Sequence, residues 1–479
     1  MLPDDVLVEI FDFCVDKDTS EDFKPFKSQS ILEWITLAHV CRRWRSVVFQ
    51  SPRRLNLRLL CTSETPARDT LDIWPPLPVI IHDSYRNVPG TSGVDNVIAA
   101  LEHNDRICQI QLRCFSSSQL GYVTNSAAMQ KPFPQLTHLR LGRLDLGGLG
   151  QIVPDTFLGG TAPRLRSLRL LYNVPFPGLP KLLSSTTHLV YLGLYDIPPS
   201  GYIPPEAMAT SLSALTNLEY LCLHFRLPRP AQEIRRPPLP PRTRSILSSL
   251  TFIVFKGASE YLEVILAQID TPRLNGLRIT FFYQTIFRTP QFFQFISRTP
   301  TLRAPEKGHI VFGSNAIIIR FPSQTSDYGV LSVEIPCSTS ARQLSSLEQV
   351  CTSYFHPVSA LEDLYVLEAL VSQLRWQNNV ENTLWLDLLQ PFTAVKNLYL
   401  CKKSVPRIAP ALQELVGERT TDVFPTLENI FMEGLQPWTP LHKGLEKFVS
   451  ARWLTSHPVA VSCWNRDLIQ ERQWEIYGL

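Results

Sequence analysis

Apolar residues recur along the middle of the chain in a single frame. The stretches PQLTHLRL (134–141), PRLRSLRL (163–170), THLVYLGL (187–194) and TNLEYLCL (216–223) each read Pro/Thr-x-Leu-x-x-Leu-x-Leu. Strict L-x-x-L-x-L occurs five times, four of them in this frame, where chance would give about one. Looser copies start at Ser248, Pro272, Ser359, Thr393 and Pro425, and DRICQIQL precedes them from Asp105. The middle anchors are Ile110, Leu139, Leu168, Leu192, Leu221, Ile253, Leu277, Leu364, Leu398 and Ile430, with steps of 29, 29, 24, 29, 32, 24, 87, 34 and 32 residues. The Pro, Thr or Ser ahead of each copy, and this spacing, separate the loose copies from chance.

Alternate residues of a strand face opposite ways, so Leu139 and Leu141 are predicted to point inward while His138, Arg140 and Gly142 line the other side. About 20 further residues return the chain to the next parallel strand, and stacked units of this kind bury one continuous core. The regular asparagine after the strand is missing, so tight asparagine-ladder turns are not expected. The 87-residue step equals three units of 29. Within it, GHIVFGSNAIIIRFP and YGVLSVEIPC (308–337) read as adjacent strands, either degenerate repeats or a small hairpin insert. After Trp438, a helical stretch through Trp453 and the strand-like VAVSCW read as an end cap.

The first fifty residues follow another period. MLPDDVLVEIFDFC predicts a helix with Pro3 in the first turn, Asp4 and Asp5 at its positive end, and an apolar stripe of Val6, Leu7, Ile10, Phe11 and Cys14. A polar insert near 17–30 separates it from a second helix whose stripe is Trp34, Leu37, Val40, Cys41 and Trp44, stopped at Ser51-Pro52. So small a module is marginal alone and would gain stability from a partner.

Leu2-Pro3, the apolar helix and Val40-Cys41-Arg42-x-Trp44-Arg45 together resemble the F-box, over residues 2–59. With leucine-rich repeats behind it, the chain is similar to the expanded F-box families of higher fungi. The long insert departs from the family pattern but removes no motif residue. The expected fold is α/β: a small N-terminal helical F-box (1–60), then an irregular leucine-rich-repeat solenoid with a C-terminal cap (61–479), strands on its concave face and helices on its convex face. The resemblance implies docking on the Skp adaptor, and through it on a cullin and a RING protein, with the repeats presenting a protein substrate. It assigns Leu2, Pro3, Val6, Leu7, Ile10, Phe11, Val40, Cys41 and Trp44 to adaptor docking or its immediate support. The alternative for each is the module's own core, with Leu2, Pro3 and Leu7 favoured as contacts and Trp44 as core. A non-ligase scaffold or regulatory binding module is the other reading of the whole chain.

The strand frame also predicts which side chains face away from the core. Arg140 and Arg169 are expected on adjacent strands about 4.8 Å apart, a natural anion site. With Tyr191, Tyr195, Tyr220 and Arg278 they make a candidate surface for an acidic or phosphorylated substrate segment, or else a solvated arginine ladder. RPAQEIRRPPLPPRTR (229–244) fits polyproline ligands of SH3-type domains at 235–242, or is a stiff exposed loop.

Composition excludes more than it adds. A net charge of +3 over 479 residues gives no support to a nucleic-acid binder built on Arg113, Arg140 and Arg169. Ten cysteines are scattered without a C-x-x-C pair, as in a reducing compartment. No secretory signal pattern and no apolar run near about 20 residues is present, so the cytosol or nucleus is expected. No nucleotide-binding, hydrolase or zinc-protease motif appears; no catalysis, metal or cofactor is expected.

Overall fold

A computed structural model describes residues 2–14, 33–51, 55, 57–83, 90–143, 151–172, 174–226, 244–282, 287, 289–303, 305–322, 330–337, 339–352, 356–369, 382–415, 417–434 and 441–465. The chain divides into two compact units, Met1–Arg226 and Leu227–Leu479.

The first unit opens with three helices, α1 (Asp4–Cys14), α2 (Glu33–Val40) and α3 (Arg42–Gln50). The single second helix predicted from the sequence is in fact two. The chain breaks at Cys41, whose backbone is extended and whose thiol accepts the Trp44 N–H at 3.4 Å, capping α3. Aromatic packing joins the helices to the neighbouring chain. The Trp34 indole N–H donates to the Arg58 carbonyl at 3.0 Å, and its ring meets Phe49 at 6.0 Å and Trp74 at 5.7 Å.

Seven parallel strands come next, in chain order: β1 (Leu59–Cys61), β2 (Val79–His82), β3 (Ile107–Leu112), β4 (His138–Leu141), β5 (Ser167–Leu170), β6 (Tyr191–Ile197) and β7 (Tyr220–Phe225). Short helices return the chain, among them Thr91–Leu101, Ser117–Thr124 and Pro205–Ser213. Leu139, Leu141, Leu168, Leu170, Leu192, Leu194, Leu221 and Leu223 are all buried, each contributing on the order of 2 kcal/mol. The predicted frame therefore aligns the strands residue for residue: Leu139 pairs with Leu168, Leu168 with Leu192 and Leu192 with Leu221.

The second unit contains β8 (Ser245–Ile246), β9 (Phe252–Gly257), β10 (Ile269–Asp270), β11 (Gly276–Phe281), β12 (Lys307–Phe312), β13 (Ala316–Pro322), β14 (Val330–Pro336), β15 (Asp363–Glu368), β16 (Asn397–Leu400), β17 (Asn429–Glu433) and β18 (Ala460–Trp464). β8 and β10 form a separate parallel pair. The other nine lie in the order β9-β11-β14-β13-β12-β15-β16-β17-β18.

That order decides between degenerate repeats and a hairpin insert in the 87-residue step, in favour of the insert. A meander fills it, with β13 antiparallel to both β12 and β14. β12 and β13 form the hairpin that the sequence suggested, turned tightly over Gly313 to Asn315, where the Gly313 N–H reaches the Ala316 carbonyl at 2.8 Å. β14 is added to it and pairs in parallel with β11, while β12 pairs in parallel with β15.

Asparagine links the starts of three strands, β15 to β17. The Asn397 amide donates to the Asp363 carboxylate, and the Asn429 amide to the Asn397 carbonyl oxygen, both at 2.8 Å. At the C-terminal end, helix Lys443–Leu454 buries Arg452, which donates to the carbonyls of Thr420 at 3.2 Å and Leu427 at 3.0 Å. β18 then continues the parallel ladder.

Candidate functional site

Helix α1 is apolar on two sides. Leu7, Val8 and Phe11 are buried, and Phe11 packs against the half-buried Trp44 at 4.8 Å. Leu2, Pro3, Val6 and Ile10 are exposed, and so is Phe13, at 92 %. Val40, 58 % exposed, and the exposed Cys41 lie at the α2–α3 break. The predicted docking residues therefore divide. Leu7, favoured as a contact, is 4 % exposed and is buried alongside Phe11. Phe13 was outside the predicted stripe altogether. The arginines do more than flank this face. Arg43 pairs with Asp4 at 2.7 Å and donates to the Leu2 carbonyl, fixing the start of α1. Arg45 donates to the Ala38 carbonyl at 3.0 Å, closing α2 on α3. The 17–30 insert lies outside the described residues.

On the strand face of the first unit, Gln111, Arg140, Arg169, Gly193 and Cys222 stand in register on β3 to β7. Arg140 and Arg169 are direct partners, as the frame requires. The Arg169 guanidinium lies 4.0 Å from the centre of the Tyr191 ring, which stacks on Tyr220 at 4.5 Å. The Tyr191 and Tyr195 hydroxyls are 2.6 Å apart, and Tyr195 meets His224 at 5.5 Å. Gly193 makes this closure fit, since a Cβ there would stand 2.6 Å from the Tyr195 ring and 2.9 Å from that of Tyr191. Tyr191 is buried, so it supports Arg169 and Tyr220 rather than standing clear as a contact.

Arg113 and Arg140 both act on His82 at the edge of this face, with the buried Asp83 carboxylate beside Arg113. Burial, then the charges of Arg113 and Arg140, push the His82 imidazole down to about 4, leaving it neutral at pH 7. Burial lifts the Cys222 thiol to about 12 and raises both Tyr191 and Tyr195, so none of the three ionises near neutrality. The arrangement can hold anions and aromatic or apolar groups; it presents no activated nucleophile.

Arg278 belongs to the second unit, its guanidinium 5.2 Å from the centre of the Phe252 ring. Tyr365, Tyr399 and Phe431 are in register on β15 to β17, with Tyr365 buried beside Val311, Leu367 and Cys401. They stack in sequence at 4.1 and 4.6 Å. Ser332, Arg320 and His309 share their row but were missed, because the antiparallel strand breaks the leucine frame.

Among the described residues, no group of three or more His, Cys, Asp and Glu is placed to hold a metal ion, and no helix is long and apolar enough to cross a membrane. The polyproline candidate at 235–242 lies outside the described residues. Residues 1–58 match the F-box-like family model. No curated protein matches the chain. The N-terminal helices are thus an F-box-like domain, followed by a mostly parallel α/β arrangement of the kind leucine-rich repeats form.

Proposed function

We propose that this chain is the substrate receptor of a Skp–cullin–F-box ubiquitin ligase. Its F-box (1–60) docks on the Skp adaptor and its repeat region (61–479) holds a protein substrate. The observation that carries the reading is the apolar face of α1. The F-box-like module buries Leu7, Phe11, Val47 and Val48, yet leaves Leu2, Val6, Ile10 and Phe13 exposed together with Val40. A contiguous apolar patch of this kind on a small domain marks a protein interface, and an F-box-like module supplies the identity of the partner. Leu2, Pro3, Val6, Ile10, Phe13, Val40 and Cys41 are assigned to contact; Leu7, Phe11 and Trp44 hold them in place. The proposed substrate contacts are Arg140, Arg169, Tyr195 and Tyr220 on the strands of the first unit, with Tyr191 beneath them, and, on the second unit by itself, Arg278. An acidic or phosphorylated segment matches the charge of the arginines. The chain acts as a non-catalytic adaptor in the cytosol or nucleus.

Co-purification tests the reading. Capture of both the Skp adaptor and the cullin is expected. Capture of the adaptor without the cullin turns the assignment toward a non-ligase scaffold. Unchanged substrate interactions after charge reversal at Arg140 and Arg169 would end the substrate assignment for that pair.

A further inference from the structure

The last strand leaves its layer open. β18 pairs in parallel with β17, and among the described residues no strand pairs with its other edge. The Ala460 N–H donates to the Glu428 carbonyl at 2.8 Å. Backbone groups alternate in direction along a strand. Those of Ala460, Ser462 and Trp464 therefore serve β17, and those of Val461 and Cys463 point to the open edge. Val461 and Cys463 also stand on the leucine side, in register with the buried Ile430 and Met432. Yet Val461 is only half-buried and Cys463 is exposed. No residue from Ala460 to Trp464 is charged, and none is Pro or Gly, so the edge lacks the usual devices that keep edges apart.

Helix Lys443–Leu454 is open on the same side. Its Gly444 packs on the preceding helix, Val405–Gln413, where a Cβ would stand 2.6 Å from the Ala409 carbonyl oxygen. Trp453 lies nine residues further on, about two and a half turns, and so faces away from that preceding helix. It is 71 % exposed. Val449, half-buried, lies about one turn before it on this side. In stacked repeats this is where the next helix would pack, as the free edge is where the next strand would pair.

We infer that this face binds a second copy of the chain, the two β18 strands pairing antiparallel about a two-fold axis at Ser462. That register sets Val461 against Cys463 of the second copy, and Cys463 against its Val461. Both pairs exchange the N–H and C=O groups that point to the edge. The apolar layer then runs on from Ile430 and Val461 into Cys463 and Met432 of the second copy. An uncharged strand meets no repulsion from its own image. A lone peptide strand would satisfy the edge and leave Trp453 in water, whereas a copy brings a helix with its strand. Helix Lys443–Leu454 joins β17 to β18, so the axis sets it about two strand spacings from its copy. That is roughly 10 Å, the distance at which helices pack. Each Trp453 then lies against the other copy's helix. The surface buried is on the order of 500 Å² per copy, at the lower end for a specific interface, so the dimer forms at micromolar concentrations. The inference depends on neither the adaptor assignment nor the substrate assignment.

Sedimentation velocity of the full chain from about 1 µM to about 100 µM tests it, with passage from monomer to dimer expected. Val461→Pro removes a donor that only the copy uses, and Trp453→Asp puts a charge into the helix contact. Each should weaken the dimer at least about tenfold, with the melting temperature of dilute protein unchanged. Should Val461→Pro lower that temperature, Trp453→Asp and a cross-link carry the test. The cross-link probes the axis. In a Cys463→Ser background, Ser462→Cys should give a covalent dimer on mild oxidation, bridged at position 462 in peptide maps. The two copies of that position face each other with about 4.5 Å between Cα atoms. Ala460→Cys in the same background should not cross-link, its copy lying roughly 13 Å away. A full chain monomeric throughout, a dimer indifferent to both substitutions, or a bridge at 460 and not at 462 overturns the inference. So does a chain that dimerises only once residues 466–479 are removed, which would give the edge to those residues.

Discussion

Phe13 sits on a helix whose inner face is already filled, and nearly all of its surface meets solvent. Exposure of a large aromatic ring is tolerable singly, but Leu2, Val6 and Ile10 precede it along the same side. Ile10→Asp with Phe13→Asp should therefore reduce adaptor capture at least about a hundredfold, since each places a charge in a desolvated contact. The melting temperature should not change. Leu7→Asp should behave differently. It puts a charge into the module's interior and should cost about 3 kcal/mol or more of stability, losing capture only as a consequence. Pull-down and thermal melts on the two variants separate the roles; a melting loss in the Ile10/Phe13 variant, or capture retained by it, would remove α1's outer face from the interface. The residue types of this module were legible in the sequence. Their division into inside and outside was not, because a 3/4 stripe fixes angles around the helix and not which side the module covers. Val6 and Leu7, adjacent in the sequence, went to opposite sides.

Between elements, the repeats are tied by polar side chains that a leucine frame does not register. Glu263, on helix Ser259–Gln268, accepts the backbone N–H groups of Gln291 and Phe292, both at 2.8 Å, at the start of helix Pro290–Arg298. It caps the next helix from a neighbouring one, satisfying donors that the helix itself leaves open. Burial raises its carboxyl to about 7, outweighing the two backbone bonds, which pull the other way. The folded state thus favours the protonated form, so this contribution to stability is complete below the ordinary value near 4.5 and is lost as pH rises through about 7. Glu263→Gln removes the titration. Its stability relative to the wild type should rise by about 2 kcal/mol between pH 5 and pH 8 in denaturant melts. A difference that is flat, or that falls with pH, would mean that the backbone bonds outweigh burial. Periodicity also missed the break at Cys41, where a cysteine takes the capping role more usual for serine or aspartate.

Across the molecule, the repeat spacing foretold parallel strands from β3 onward, but it did not reach β1, β2 or the β8–β10 pair and lost count where the chain reverses. Anchors from Ile110 to Leu221 fall in paired register on β3 to β7. Between Leu277 and Leu364 the spacing could not tell degenerate repeats from a hairpin insert, because a tight antiparallel turn has no 29-residue return to measure; three strands fill the step. Where strands do keep to the frame, each should depend chiefly on its neighbours, as stacked repeats do. Leu398, fully buried on β16 between β15 and β17, offers the test. Leu398→Asp forces a charge into that layer and should cost several kcal/mol locally. Hydrogen exchange should then speed up across β15 to β17 and their return helices, while protection in 57–226 and capture of the adaptor stay as they were. Protection lost evenly from 57 to 465 would instead make the chain one cooperative core, and the proposed division between an adaptor-docking end and substrate-holding strands would need another physical basis.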